Sequence, residues 1–278
     1  MTMGLKSRSA RVLVFTFLLL VAVTTVFPLY FMVVTSFKDT ADYYQHFLGL
    51  PSRPTLVNYQ HLFLQFSMFR MAFNSAVVSV AMLVLSTLIC SMASFIFAKL
   101  PYRGSATIFL GIVACMMVPP IVLIIPVYLM MSAFSLINNY LSLILFYTAM
   151  VIPFSIYLIT SNYRMIPNEL IESARLDGAG LFGIYWYVML PLGRSIVMTL
   201  LTLNFLWAWN EFLYSLLFLQ TNELRTLTVG VAVIIGRRVV DTPLLLTGLL
   251  VNSIPVLLVF TFANRYLVKG LIAGAIKG

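Results

Sequence analysis

GSATIFLGIVACMMVPPIVLIIPVYLMMSAFSLINNYLSLILFYTAMVIPFSIYLITSNY, residues 104–163, contains no charged side chain. A helix crossing the hydrocarbon core of a bilayer needs about 20 mostly apolar residues, so this stretch is long enough for two crossings. The polar cluster at 132–140, with Asn138 beside Asn139, marks the turn between them. Composition points the same way. Hydrophobic residues make up 62% of 278 positions and charged residues 9%, with a mean hydropathy of +1.02. Soluble domains carry roughly 45–50% apolar and about 25% charged residues, so in water this chain would expose large apolar patches. With no water to satisfy its backbone in the hydrocarbon, the chain is read as an all-α integral membrane protein.

Outward from that stretch, further weakly charged runs supply the other crossings. The six predicted spans are 12–37, 71–98, 106–131, 140–161, 195–219 (interrupted only by Glu211) and 242–264. They form a membrane domain over 12–266, with a long polar loop at 162–194, a short N-terminal segment at 1–11 and a tail at 267–278. The first run far exceeds the 7–15 apolar residues of a secretory signal and no small-x-small cleavage site follows, so it is read as a retained helix. Six crossings put both termini on one side. Of the 17 Lys and Arg residues, eleven fall on that side: Lys6, Arg8, Arg11, Lys99, Arg103, Arg164, Arg175, Arg194, Arg265, Lys269 and Lys277. Six fall on the other: Lys38, Arg53, Arg70, Arg225, Arg237 and Arg238. Cationic residues near span ends are retained in the cytoplasm, so the termini are predicted to be cytoplasmic in a multi-pass plasma-membrane protein. The net charge of +9 then has a topological explanation. No nucleic-acid partner is needed, and no aromatic–basic interleaving of the kind that binds single strands occurs. Cys90 and Cys115 both lie inside apolar runs and read as core packing, not a disulfide framework or a metal site.

The outer segment 38–70 holds Pro51, Pro54, His46, His61 and several aromatics, too polar to cross and too long for a tight turn. Short interfacial helices are expected there, for instance over 55–66. An external partner landing on it and aromatics resting at headgroup level are both open readings.

The loop after the fourth span has a different chemistry. Pro167 can precede or open a helix, Asn168 is an acceptable N-cap, Glu169 and Glu172 suit the positive end of the helix dipole, and Gly178 suits a left-handed C-cap. The helix so framed has about two turns, too few to be stable alone in water, and should pack against something. Glu169, Glu172, Ser173 and Leu176 share one face; Leu170 and Ala174 lie on another. Small residues at 173 and 174 allow close approach of a second surface, and the carboxylates offer anchor points for its cations. A plug for a cleft and an ordinary amphipathic helix lying on the membrane both fit this spacing.

The stretch Pro167-x-Glu169-Leu170-x-Glu172-Ser173-Ala174-x-x-Asp177-Gly178-Ala179, followed by Leu190-Pro191-Leu192, resembles the EAA loop of binding-protein-dependent ATP-binding-cassette importers. Ser173 stands where that family usually has its first alanine. Trp207-Ala-Trp209-Asn210-Glu211-Phe-Leu resembles a W-x-W-N-E-F segment of the carbohydrate-uptake permeases related to the maltose system. The ending Arg265-Tyr266 to Gly278 is similar to their C-terminal signature. The resemblance implies the type I permease fold of six transmembrane helices with a short cytoplasmic coupling helix. That helix docks an ATPase subunit through Glu169, Leu170, Glu172, Ser173, Ala174, Asp177 and Gly178. It further implies an ATPase dimer that binds ATP and Mg, a second, non-identical permease, an extracytoplasmic solute-binding protein, and a sugar as the solute. Another polar solute such as glycerol 3-phosphate is the alternative.

The chain contains no G-x-x-x-x-G-K-[ST] phosphate loop, so it is read as a transport subunit that hydrolyses no ATP itself and carries no cofactor. A stand-alone secondary transporter would place several ionisable groups within its spans, whereas here Glu211 alone qualifies among carboxylates and histidines. Two readings stand for Glu211. Either it hydrogen-bonds within the membrane domain or to a partner permease and holds a bend in the fifth span, or with Asn210 it lines the solute path; Trp207 and Trp209 read either as packing and interface anchors or as platforms that stack on a sugar ring. Pro119, Pro120, Pro126, Pro153 and Pro255 are expected to bend their helices.

Overall fold

The computed structural model describes residues 8–100, 102–235 and 241–275, with side chains over 11–100, 102–233 and 241–264. Lys6, Arg237, Arg238, Lys277 and the side chains of the C-terminal signature lie outside the described residues. Among those described there are helices and no strands. Four helices are long and apolar enough to cross a membrane: Arg11–Ser36, Met68–Lys99, Tyr140–Arg164 and Thr242–Asn264. Two bent pairs, Ser105–Met117 with Pro120–Ala133 (91°) and Leu181–Leu192 with Arg194–Asn210 (75°), bring the number to six. The chain divides into two compact units, Met1–Met68 with Gly230–Ile254 and Phe69–Val229 with Pro255–Gly278.

In the first unit, α1 (Arg8–Ser36) is apolar on all sides and largely exposed, as suits a helix solvated by lipid. The segment after it is folded on itself through α2 (Thr40–Gln45) and α3 (Val57–Gln60), the latter continuing as a π-turn over His61–Gln65. Lys38 is fully buried, its ammonium donating to the carbonyls of His46 (2.6 Å) and Phe47 (3.3 Å) at the end of α2. Asn58, also buried, donates to the carbonyls of Ser36 (3.0 Å) and Lys38 (2.7 Å), satisfying groups that the end of α1 leaves open. Asp39 caps α2 through the amide of Asp42 (2.8 Å). The hydroxyl and amide of Ser52 hold the Asp42 carboxyl below the usual carboxylate range.

The second unit starts along α4 (Met68–Lys99), whose buried Ser75, Ser79, Ser86, Ser91 and Ser94 let neighbouring helices approach closely. The third span is broken into α5 (Ser105–Ala114) and α6 (Ile124–Ala133). The cause is local: Pro119 and Pro120 donate no amide hydrogens, and Val118 before them is extended (φ −84°, ψ 114°). The helix is interrupted at Pro119-Pro120, whereas Pro153 lies inside the continuous α7 (Tyr140–Arg164) and Pro255 inside the continuous α14 (Thr242–Ala275). Beyond α7 come α8 (Glu169–Leu176), α9 (Leu181–Ile184), a π-turn at Tyr185–Met189, α10 (Leu190–Leu192), α11 (Arg194–Asn210), α12 (Leu213–Phe218) and α13 (Leu227–Ile235). The single helix predicted over 195–219 is therefore two helices, parted at Glu211-Phe212. Cys90 is buried, as read from the sequence; Cys115 is exposed, a correction to its reading as core.

A close contact fixes the bend before α11. A Cβ built on Gly193 would collide with the Tyr163 ring and lie 3.2 Å from the Met189 carbonyl. Gly193→Ala is expected to destabilise the protein by about 1–3 kcal/mol, the usual cost of overpacking. Shrinking the opposing ring with Tyr163→Leu should recover part of the loss in thermal unfolding of the purified protein.

Candidate functional site

Two groups of sequence-selected residues occupy two separate places in the second unit. The first is α8. Its first turn carries Glu169 and Glu172 and its last turn Arg175, each at the end of the helix dipole that favours it. Its C-terminus closes as a full Schellman motif: Gly178 sits at φ +83°, its amide donates to Arg175 (3.0 Å), and the Ala179 amide reaches back to Ala174 (2.9 Å). Asn168 occupies the N-cap position, but its side chain makes no cap bond. Instead its carbonyl oxygen accepts from the Lys99 ammonium (2.8 Å), which also donates to the Ile166 carbonyl. The residue read as a cap is thus a tether to the end of α4.

One residue that the sequence reading did not select seats this helix. Ile171 is 4% exposed and inserts among Tyr163, Ile184, Tyr185 and Met189, with Ala174 half-buried on the same side. Fully burying such a side chain is worth about 1.5–3 kcal/mol, which gives a two-turn helix the packing it lacks alone. Above it, the Ser91 and Tyr185 hydroxyls are 2.6 Å apart and Ser94 donates to the Ile156 carbonyl (3.2 Å). The opposite surface is bare: Glu169, Leu170, Glu172, Ser173, Asp177 and Gly178 are exposed, and Leu176 is 89% exposed. An apolar residue thus projects among carboxylates from a helix fastened to α4 and α7.

The second group surrounds Glu211. Its backbone is extended (ψ 126°) where α11 stops, and its carboxylate turns toward α12. There it accepts from the amides of Tyr214 (2.9 Å) and Ser215 (3.1 Å) and from the Tyr147 hydroxyl (2.6 Å). The Tyr147 and Ser215 hydroxyls are also 2.7 Å apart. Glu211 therefore supplies the N-cap of α12 from one residue upstream, and the charge is held by fixed donors. The Tyr214 hydroxyl donates to the Pro120 carbonyl (2.6 Å), tying the break in the fifth span to the break in the third. Trp207 packs edge-on to Tyr147 at 5.1 Å. Trp209 is 4% exposed and lies against Phe205 at 5.4 Å. Asn210 is exposed, and among the described residues its side chain bonds its own helix, donating to the Leu206 carbonyl (2.8 Å). The structure thus gathers Trp207 and Glu211 around Tyr147, buries Trp209 elsewhere and turns Asn210 outward. Tyr147 and Tyr214 went unselected because tyrosines in apolar runs are ordinary core residues until a partner is seen.

Helical throughout the described residues, with two broken spans and a tethered carboxylate-rich helix, the chain has the architecture of a membrane transport permease. Residues 91–272 match the family described as the binding-protein-dependent transport system inner membrane component, and the chain belongs to that family. Such a multi-pass inner-membrane subunit works with an ATPase and a solute-binding protein. The chain is 31% identical over 262 residues to the arabinooligosaccharides transport system permease protein of Halalkalibacterium halodurans, covering 93% of each. It is 32% identical over 257 residues to the sulfoquinovosyl glycerol transport system permease protein of Agrobacterium fabrum, covering 92% of this chain and 90% of the relative. It is 28% identical over 262 residues to the diacetylchitobiose uptake system permease protein of Streptomyces coelicolor, covering 94% and 87%. Its fold matches a chain of a bacterial ABC transporter involved in import of the acidic polysaccharide alginate, with a TM-score of 0.82 at 20% identity over 94% of this chain and 98% of that one.

Proposed function

We propose that this chain is the membrane-spanning subunit of an ATP-driven sugar importer. In this reading it pairs with a second, non-identical permease, and each of two ATPases grips one coupling helix. The N- and C-termini face the cytoplasm, in keeping with the eleven-to-six distribution of basic residues. The observation that carries the reading is α8, whose one face is sunk into the membrane domain at Ile171 while the other presents Glu169, Glu172 and Leu176 to a partner. When the ATPases close on ATP, inward movement of α8 travels as a rigid-body push through Lys99 and Ile171 to α4, α7 and α11. The pore then turns outward, a loaded binding protein delivers its solute, and hydrolysis resets the cycle. Sugar as cargo is supported by the relatives, named for arabinooligosaccharides, diacetylchitobiose, melibiose, raffinose and stachyose.

The test is reconstitution in liposomes with the ATPase, the partner permease and the binding protein, together with a thermal-shift screen of the binding protein against mono- and oligosaccharides. Uptake of the sugar that stabilises the binding protein should require all subunits and ATP. Solute movement by this chain without an ATPase would overturn the proposal.

A further inference from the structure

An open apolar groove of about 440 Å³ runs between α4 and α11. Its volume is that of a site for a small ligand. The two helices run antiparallel, since Cys90 packs near Val197 and Leu200 while Val78 and Met82 pack near Ala208. The groove therefore extends from Val80 and Leu201 at one end to Leu88, Trp186 and Arg194 at the other, with Met198 along its length. Its lining is apolar apart from that second end. Arg194 is exposed and takes part in no ion pair among the described residues.

Depth in the bilayer gives this end its meaning. The span predicted over 195–219 begins directly after Arg194, which therefore stands at its cytoplasmic boundary, and Leu88 lines the same end of the groove. Trp186, 47% exposed, lines that same end, and indole rings collect at headgroup level. A slot with hydrocarbon walls, opening at headgroup depth onto an unpaired guanidinium, has the chemistry of a phospholipid site that favours an anionic head. We propose that this groove binds an anionic phospholipid, one acyl chain lying between α4 and α11 and the phosphate held by Arg194.

The test uses the intact transporter in bilayers of phosphatidylcholine containing brominated-chain phosphatidylglycerol or brominated-chain phosphatidylcholine. Bromine quenches nearby indoles, and subtracting the signal of a Trp186→Phe transporter isolates the tryptophan at the groove mouth. Phosphatidylglycerol should quench that component at about one-fifth the mole fraction that phosphatidylcholine requires, one arginine's worth of attraction to an anionic surface. Arg194→Gln should bring the two lipids together while leaving quenching itself intact. Equal quenching by both lipids in the unmodified transporter would overturn the proposal. So would a Trp186 component that neither lipid reaches, which would mean that a helix of the second permease fills the groove.

Discussion

A chain carrying Glu169→Lys and Glu172→Lys together is expected to reach the membrane in normal amount and to reduce uptake to background. Both carboxylates are exposed, and apart from the attraction between Glu169 and Lys99 they take no part in the contacts that seat α8, so their reversal has little else to break in the subunit itself. Each lysine in the first turn opposes the helix dipole at a cost of about 0.3–1 kcal/mol. The Ile171 anchor and the Schellman closure at Gly178 remain, and the buried isoleucine alone offsets much of that cost. A partner surface shaped for two carboxylates would instead meet two cations, a juxtaposition that costs several kcal/mol at an interface. Co-purification of the ATPase with the variant is the readout. Because Glu169 also acts electrostatically on Lys99, Glu169→Gln with Glu172→Gln serves as the milder control and should weaken coupling without adding repulsion. Ile171→Ala attacks the other face of the same helix. It should loosen α8 by about 2–5 kcal/mol, so that ATP hydrolysis continues while uptake falls.

Glu211→Ala should have the largest effect on stability of any single change considered. Three donors lose their acceptor: the Tyr147 hydroxyl and the amides of Tyr214 and Ser215. A buried donor left unpaired costs about 1–3 kcal/mol, and the Tyr147 hydroxyl can fall back on Ser215, so roughly 2–6 kcal/mol is at stake. Thermal unfolding of the purified transporter measures it. Asn210→Ala is the discriminating companion, because among the described residues Asn210 bonds the Leu206 carbonyl of its own helix and is otherwise exposed. Its stability should stay within about 0.5 kcal/mol of the parent, so any rise in the KM for uptake would assign Asn210 to the solute path. Should Glu211→Ala raise KM while leaving unfolding untouched, Glu211 would belong to the path as well.

The parts legible in the sequence are those fixed by local chemistry. Uncharged runs located the long helices because hydrocarbon tolerates little else. Pro167 and Gly178 framed α8 to within a residue or two because each constrains its own backbone. The remainder depended on partners far along the chain. Asn168 has the chemistry of a cap, yet its side chain serves Lys99, 69 residues earlier. The break at Glu211-Phe212 involves neither glycine nor proline; it is held by Tyr147, 64 residues before it. Ile171 looked ordinary because a two-turn helix has too few positions for periodicity to say which face is buried. The apolar surroundings of Cys115 read as core, yet it is exposed. In a membrane protein such surroundings do not separate core from lipid-facing surface.

The most direct test places a cysteine at Leu176, the exposed tip of α8, with Cys90 and Cys115 replaced by alanine, and treats cells with a short thiol cross-linker. The account predicts one adduct containing the ATPase, its yield changing with ATP. A Leu176→Cys chain that never captures an ATP-hydrolysing protein, or that reacts only with reagents confined to the outside of the cell, would contradict it.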